Sequence, residues 1–133
     1  LVACSATGNS ATGSQVQAFA QPDSTASRPV AATIVEAMAG GLIGGALGQN
    51  LGARERRSAL EAEYRALEYT PAGQAVTWDG SGKLRGEVMA GAPYRVGSQD
   101  CRQYVHRLFA GEAARSARGA ACRNADGSWT PLT

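Results

Sequence analysis

The sequence predicts an α+β protein in which two helical segments precede a small antiparallel β-sheet domain. Three observations support this fold class. Glycine recurs every fourth residue between positions 40 and 52, residues 54–69 carry apolar side chains at helical spacing, and apolar and polar residues alternate beyond position 70. The predicted segments are a signal-peptide remnant (1–3), an acylated, disordered tether (4–29), a glycine-zipper helix (30–53), a charged linker helix (54–69) and a disulfide-bridged β domain (70–133).

The first residues predict a lipid anchor. Leu1-Val2-Ala3-Cys4 has the form of a lipobox, and a polar tract rich in Ser, Ala, Thr and Gln follows it. We expect residues 1–3 to be removed as the end of a signal peptide and Cys4 to carry the lipid. Ser5, rather than aspartate, follows the cysteine, which favours the outer membrane. The alternative is an ordinary buried cysteine after two small residues.

The glycine-rich stretch predicts a helix with one smooth face. At about 100° per residue its glycines fall on one side, and such a face allows close approach of a second helix or a membrane protein. The predicted contact residues are Gly40, Gly41, Gly44, Gly45, Gly48 and Gly52. The apolar stretch 37–47 is shorter than the roughly 20 residues of a membrane span, so the sequence favours partial insertion, packing on a partner, or self-association. The alternative is a flexible glycine-rich loop.

Residues 54–69 predict a second helix. Leu60, Tyr64 and Leu67 share one face, and Glu61 with Arg65 forms an i,i+4 pair in the favourable order. An arginine cluster at its start suits lipid phosphates or a solvated helix face equally well: Arg54, Arg56 and Arg57.

The remaining chain predicts an antiparallel meander. The candidate strands are 74–78, 84–88, 100–109, 113–123 and 128–132, separated by glycine-containing turns. A two-residue turn at Gly111-Glu112 pairs residue 110 with residue 113, and the same register places Cys101 opposite Cys122. With Cys4 taken by lipid, we expect these two cysteines to form a disulfide, as is usual beyond the inner membrane.

The sequence offers no catalytic or metal-binding pattern. His106, the only histidine, lies in the middle of a predicted strand without a suggested nucleophile, and no cysteine or histidine spacing is typical of a metal site. The tryptophans and tyrosines are expected to pack in the core or on the sheet. A net charge of +2 is too weak to indicate a nucleic-acid partner. We therefore predict a protein that is not an enzyme and that carries no cofactor except the covalent lipid.

Several motifs together resemble one family. Behind the lipobox, tether and glycine zipper come Arg65-Ala66-Leu67-Glu68-Tyr69, then Cys101-Arg102-Gln103-Tyr104, then Cys122-Arg123-Asn124-Ala125-Asp126-Gly127-Ser128-Trp129. This order is similar to that of the rickettsial seventeen-kilodalton surface antigen family of alphaproteobacterial lipoproteins. The resemblance implies an outer-membrane lipoprotein of structural or antigenic character.

Two binding roles follow as expectations. In the first, the protein is a structural or accessory subunit of an envelope complex, held by lipid and glycine zipper, with an outer-membrane β-barrel or other envelope protein as partner. In the second, the β domain is a binding module similar to the lipoproteins that inhibit lysozyme. Outer-membrane lipid and a second copy of the chain are the other predicted partners.

Overall fold

The computed structural model describes residues 31–132, and its helical part consists of four pieces. Two α-helices flank two short 3₁₀ turns, and all four precede the sheet. They are α1 (Ala32–Ala37), the first 3₁₀ turn (Leu42–Gly44), the second 3₁₀ turn (Ala46–Gly48) and α2 (Ala53–Tyr69). The predicted tether and Cys4 lie outside the described residues.

The second part is a single antiparallel sheet in the order β1-β2-β4-β5-β6, with β3 also paired to β4. Its strands are β1 (Ala75–Asp79), β2 (Leu84–Ala90), β3 (Tyr94–Val96), β4 (Gln99–Ala110), β5 (Ala113–Arg123) and β6 (Trp129–Pro131). The α+β class with a disulfide-bridged antiparallel sheet is therefore confirmed for the described residues. β3 is a strand that the sequence pattern did not predict.

β3 continues β2 along the same edge of β4 after a bulge. Ala90 pairs with Tyr104 and Tyr94 with Cys101, so three residues, 91–93, face only two residues of β4. The Gly91 N–H donates to the Gln103 carbonyl at 2.8 Å, which holds the irregular arm in place. Such an extra residue bends the strand locally, and β2 with β3 forms one arm of the predicted meander.

Helix α2 covers one face of the sheet, here called the covered face; the other is the open face. The spacing of Leu60, Tyr64 and Leu67 places all three in the core, as predicted. Three alanines on the same side of the helix are also buried: Ala59, Ala62 and Ala66. Their small side chains let the helix pack close to the sheet. The helix ends at Tyr69 because Thr70 is extended, the conformation that a following proline imposes. The Glu61–Arg65 pair is present, with 3.7 Å between the charged atoms.

The β4–β5 hairpin has the register that its turn predicts. Ala110 pairs with Ala113 and Cys101 pairs with Cys122. The two cysteines form a disulfide, with 3.9 Å between their Cα atoms, and both are buried. The Cys101–Cys122 pair that was predicted from the length of the turn is therefore confirmed.

The predicted continuous helix over residues 30–53 is wrong. α1 ends at Ala37, and Ala39, Gly40 and Gly41 all have positive φ, which no right-handed helix contains. Gly45 is extended between the two 3₁₀ turns. The chain folds back against α2 and the sheet, and Met38, Ile43 and Leu47 enter the core. The glycines consequently do not form one helix face. Within residues 31–132, no helix has the length and apolar character needed to cross a membrane.

We expect the disulfide to contribute substantially to stability. Replacing both cysteines with alanine should lower the free energy of unfolding by roughly 3 kcal/mol in the chain-entropy model, because the bridge closes a loop with a sequence separation of 21 residues. Urea denaturation of Cys101→Ala/Cys122→Ala measures this loss, and Cys4→Ser is the control that leaves the bridge intact. A free thiol at either position in the unreduced, denatured protein would contradict the assignment.

Candidate functional site

The most chemically distinctive site is a buried carboxylate, Glu63, between α2 and the glycine segment (residues 40–52). Its side chain has no solvent exposure. It accepts hydrogen bonds from the backbone N–H of Leu42 at 2.9 Å and of Ile43 at 3.0 Å. Two successive backbone N–H groups pointing at one anion form a nest. The glycine segment therefore binds the carboxylate of Glu63 through its backbone.

His106 on the covered face of β4 provides the third partner. Its Nδ1 lies 2.6 Å from a Glu63 carboxylate oxygen, and its Nε2 accepts the indole N–H of Trp78 at 2.9 Å. Because the indole can only donate, Nε2 carries no hydrogen, and in the neutral ring Nδ1–H donates to Glu63. The resulting chain Trp78–His106–Glu63, here called the buried network, links β1, β4, α2 and the glycine segment.

A glycine makes room for the indole of this network. Gly86 pairs with Trp78 across β1 and β2, and a Cβ at that position would collide with the indole ring. Tyr104 lies next along the covered face. Burial raises the pKa of its phenol, and the nearby charge of Glu63 adds to the effect.

A second buried charge closes the end of α2. Arg102 is 5% exposed, and its guanidinium donates to the carbonyls of Ala66 at 3.1 Å, Leu67 at 2.7 Å and Gly91 at 2.7 Å. The first two belong to the last turn of α2, where the helix dipole favours a cation. Burial lowers the pKa of Arg102, yet guanidinium stays charged in proteins. Arg102 thus joins the helix end to the bulge after β2.

The same helix end meets the C-terminal motif. Arg123 forms a two-pronged pair with Glu68, at 2.8 Å from Nε and 3.0 Å from Nη2, and the Trp129 indole donates to Glu68 at 2.8 Å. The hydrogen bond to Glu68, and then the negative charge of Glu68, raise the pKa of Arg123. Asp126 accepts from the backbone N–H and hydroxyl of Ser128, which fixes the turn before Trp129.

The predicted site residues have different outcomes. Cys101 and Cys122 are bridged, and Cys4 lies outside the described residues. The predicted contact of the six glycines with lipid or a partner requires a helical face that is absent, although Gly44, Gly45 and Gly52 are exposed. Of the arginine cluster, Arg56 donates to the Leu51 carbonyl and Arg57 pairs with Glu61.

The largest groove described for residues 31–132 does not contact the buried network, because neither Glu63, His106 nor Trp78 lines it. A groove of about 630 Å³ lies mainly over the open face, and Arg118 is the one charged residue in its lining within the described part of the chain. His106 is completely buried, and its two ring nitrogens face Glu63 and Trp78. Among residues 31–132, no three His, Cys, Asp or Glu side chains are placed to hold a metal ion.

The three motifs that meet at the end of α2 coincide with a known family model. Residues 65–130 match the family described as 17 kDa outer membrane surface antigen. This chain belongs to the 17 kDa surface antigen family. The match covers the end of α2 and nearly all of the sheet, which are the parts joined by Arg102, Glu68, Arg123 and Trp129.

Individual relatives agree with this family. A 17 kDa surface antigen of Rickettsia felis is 37% identical over 78 residues, which is 57% of this chain and 49% of that protein. A 17 kDa surface antigen of Rickettsia bellii is 32% identical over 85 residues, which is 62% of this chain and 54% of that protein. The chain thus spans about half the length of the curated relatives it matches. No solved structure matches it.

Sequence reasoning missed Glu63 and Arg102 as buried charges. Glu63 lies three residues after Leu60 and four before Leu67, so helical spacing alone puts it on the apolar face. Arg102 shares the strand alternation of Tyr104, His106 and Leu108, which are all buried. In both cases the residue spacing already indicated that the charged side chain lies on a buried face.

We expect Gly41 to be irreplaceable and Gly44 replaceable. Gly41 has φ 58° and ψ −160°, a region essentially restricted to glycine, and a Cβ there would collide with Glu63 and Leu60. Gly41→Ala should cost about 1–3 kcal/mol or more. Gly44→Ala, whose Cβ would meet nothing closer than 4.0 Å, should be neutral or slightly stabilising. Urea denaturation compares the two. Equal losses would show that the segment does not adopt this conformation.

The charge of Glu63 should matter more for stability than that of Glu61. Glu63→Gln replaces one acceptor oxygen with an N–H₂ group that faces buried donors, which should cost about 1–3 kcal/mol. Glu61→Gln, which weakens two i,i+4 pairs on the same helix, with Arg57 and Arg65, should cost at most about 1 kcal/mol. Thermal unfolding of both variants measures the difference. A Glu63→Gln variant as stable as Glu61→Gln would contradict the buried network.

Proposed function

We propose that this protein is a non-enzymatic outer-membrane lipoprotein that acts as a structural or accessory subunit of an envelope complex. The observation that carries the proposal is the match of residues 65–130 to the outer membrane surface antigen family. The relatives are named surface antigens, and the proposal extends that location to this chain. Lipid on Cys4 provides the anchor.

The disulfide supports this location. Cys101 and Cys122 are both buried and joined, and such bridges persist in the periplasm and at cell surfaces but are rare in the cytosol. A domain of this size has a small core, and disulfides commonly supply the missing stability in such domains. The bridge therefore fits a protein that works outside the inner membrane.

The use of the polar side chains supports a non-enzymatic role. The buried acidic and basic side chains of the described domain are committed to each other or to backbone groups: Glu63 with His106, and Arg102 with three carbonyls. Glu68 is held by Arg123 and Trp129. Each of these groups joins two or more elements of the fold. The proposal assigns them to the stability of a domain that presents a surface.

The anchor can be tested together with the envelope complex. In the native host, Cys4→Ser should move the protein from the outer-membrane fraction to a soluble fraction and abolish the mass increase from acyl chains. Cross-linking in intact cells, followed by purification in mild detergent and mass spectrometry, should recover an envelope protein with the wild-type chain but not with Cys4→Ser. Ser5→Ala, which changes the neighbouring residue and keeps the thiol, is the control.

Two results would contradict the proposal. Unchanged outer-membrane fractionation of Cys4→Ser would show that the lipid is not the anchor. Dose-dependent inhibition of a muramidase by the purified chain, without an envelope partner in the cross-linking experiment, would favour the lysozyme-inhibitor role instead.

A further inference from the structure

One edge of the sheet is longer than the strand that covers it. β5 runs from Ala113 to Arg123, but β6 pairs only with its last three residues. One more bond follows, from the Leu132 N–H to the Ala120 carbonyl at 2.8 Å. Within residues 31–132, no strand pairs with the edge of β5 over residues 113–119. We call these residues the free edge.

The bonds to β6 show which backbone groups point out from the free edge. Ala120 bonds to Leu132 and Asn124 to Ser128, so the even-numbered residues face β6. Direction alternates along a strand, and the pairing of β5 with β4 has no bulge between residues 113 and 122. The N–H and C=O groups of residues 114, 116 and 118 therefore point outward. These three residues are exposed.

We propose that the free edge is a dimerisation site, at which β5 of a second copy of this chain pairs in antiparallel orientation about a two-fold axis at Ser116. This pairing goes beyond the proposed function and does not depend on it. The six outward groups of each chain would bond to the same six of the other. Ser116 would face its counterpart, and residue 114 would face residue 118.

Charge and the position of β6 select this register. The free edge carries two arginines, and an axis at either one would set like charges directly opposite each other, which is destabilising. An axis at Ala117 would require residue 120, whose carbonyl already bonds to Leu132. The axis at Ser116 uses the whole free edge and places Arg118 opposite Ala114 and Arg115 opposite Ala117.

Side-chain size and side-chain direction also favour a second copy. Apart from its two arginines, the free edge contains only alanine, serine and glycine, so two such edges approach each other without bulky obstruction. The Arg115 guanidinium is drawn toward the covered face by a hydrogen bond to the Leu47 carbonyl at 3.0 Å. Each chain therefore presents small side chains and, on the open face, only one arginine of the free edge, Arg118. Two such edges can lie side by side without a clash of bulk or charge. An uncovered strand edge of this kind is a template for pairing.

Charge substitutions at position 114 test the register directly. In the full chain carrying Cys4→Ser, Ala114→Glu would face Arg118 of the other copy and should tighten the dimer about two- to thirtyfold. Ala114→Arg would place like charges together and should weaken it by a similar factor. Thr77→Glu and Thr77→Arg, on the exposed edge strand β1, are the controls and should leave the dimer unchanged. Sedimentation equilibrium measures the dissociation constant.

A cysteine at the axis provides a second measurement. Residues opposite each other in a hydrogen-bonded pair have Cα atoms about 5.5 Å apart, within disulfide range. Ser116→Cys should therefore form a covalent dimer under mild oxidation, whereas Thr77→Cys should not. The proposal is overturned if the chain stays monomeric up to about 1 mM, if Ala114→Glu and Ala114→Arg shift the equilibrium in the same direction, or if Ser116→Cys and Thr77→Cys cross-link equally.

Discussion

The buried charge of Glu63 is the constraint on which the rest of the fold depends. Removing a carboxylate from water costs several kcal/mol, and the cost is offset only if hydrogen bonds satisfy its oxygens. Here two backbone N–H groups and the imidazole of His106 supply them. The two backbone donors are available only because residues 39–41 leave the helical conformation. In a continuous helix those N–H groups would bond to carbonyls four residues earlier, so a glycine helix and a satisfied Glu63 exclude each other.

The same charge explains features far from it. His106 can donate to Glu63 only if its other nitrogen is satisfied, and Trp78 provides that partner from the next but one strand of the sheet. The indole in turn needs the space left by Gly86. A glycine in the middle of β2, which is unfavourable in a strand, is thus explained by a carboxylate on the opposite helix. The network fixes how α2 sits on the sheet more specifically than apolar contacts alone would.

The sequence predicted those parts of the fold that local rules determine. The two-residue turn fixed the β4–β5 register and thereby the Cys101–Cys122 pair, and the spacing of Leu60, Tyr64 and Leu67 fixed the buried face of α2. The prediction of a helix for the glycine segment was wrong. A four-residue glycine spacing matches a helix pattern, but the conformation of the segment is set by Glu63, which lies 20 or 21 residues away in sequence. β3 was missed because it is three residues long and depends on a bulge and on β4. A local sequence pattern cannot show that the glycine segment depends on Glu63 or that β3 depends on the bulge and on β4.

The family motifs are best understood as requirements of the fold. Glu68 of the first motif, Arg102 of the second, and Arg123 with Trp129 of the third all converge on the last turns of α2. Side chains that hold a helix end, a bulge and a C-terminal turn together are not available to bind a partner without loss of those contacts. Within residues 31–132, the surfaces left available to a partner are therefore outside these motifs, on the open face and along the free edge of β5.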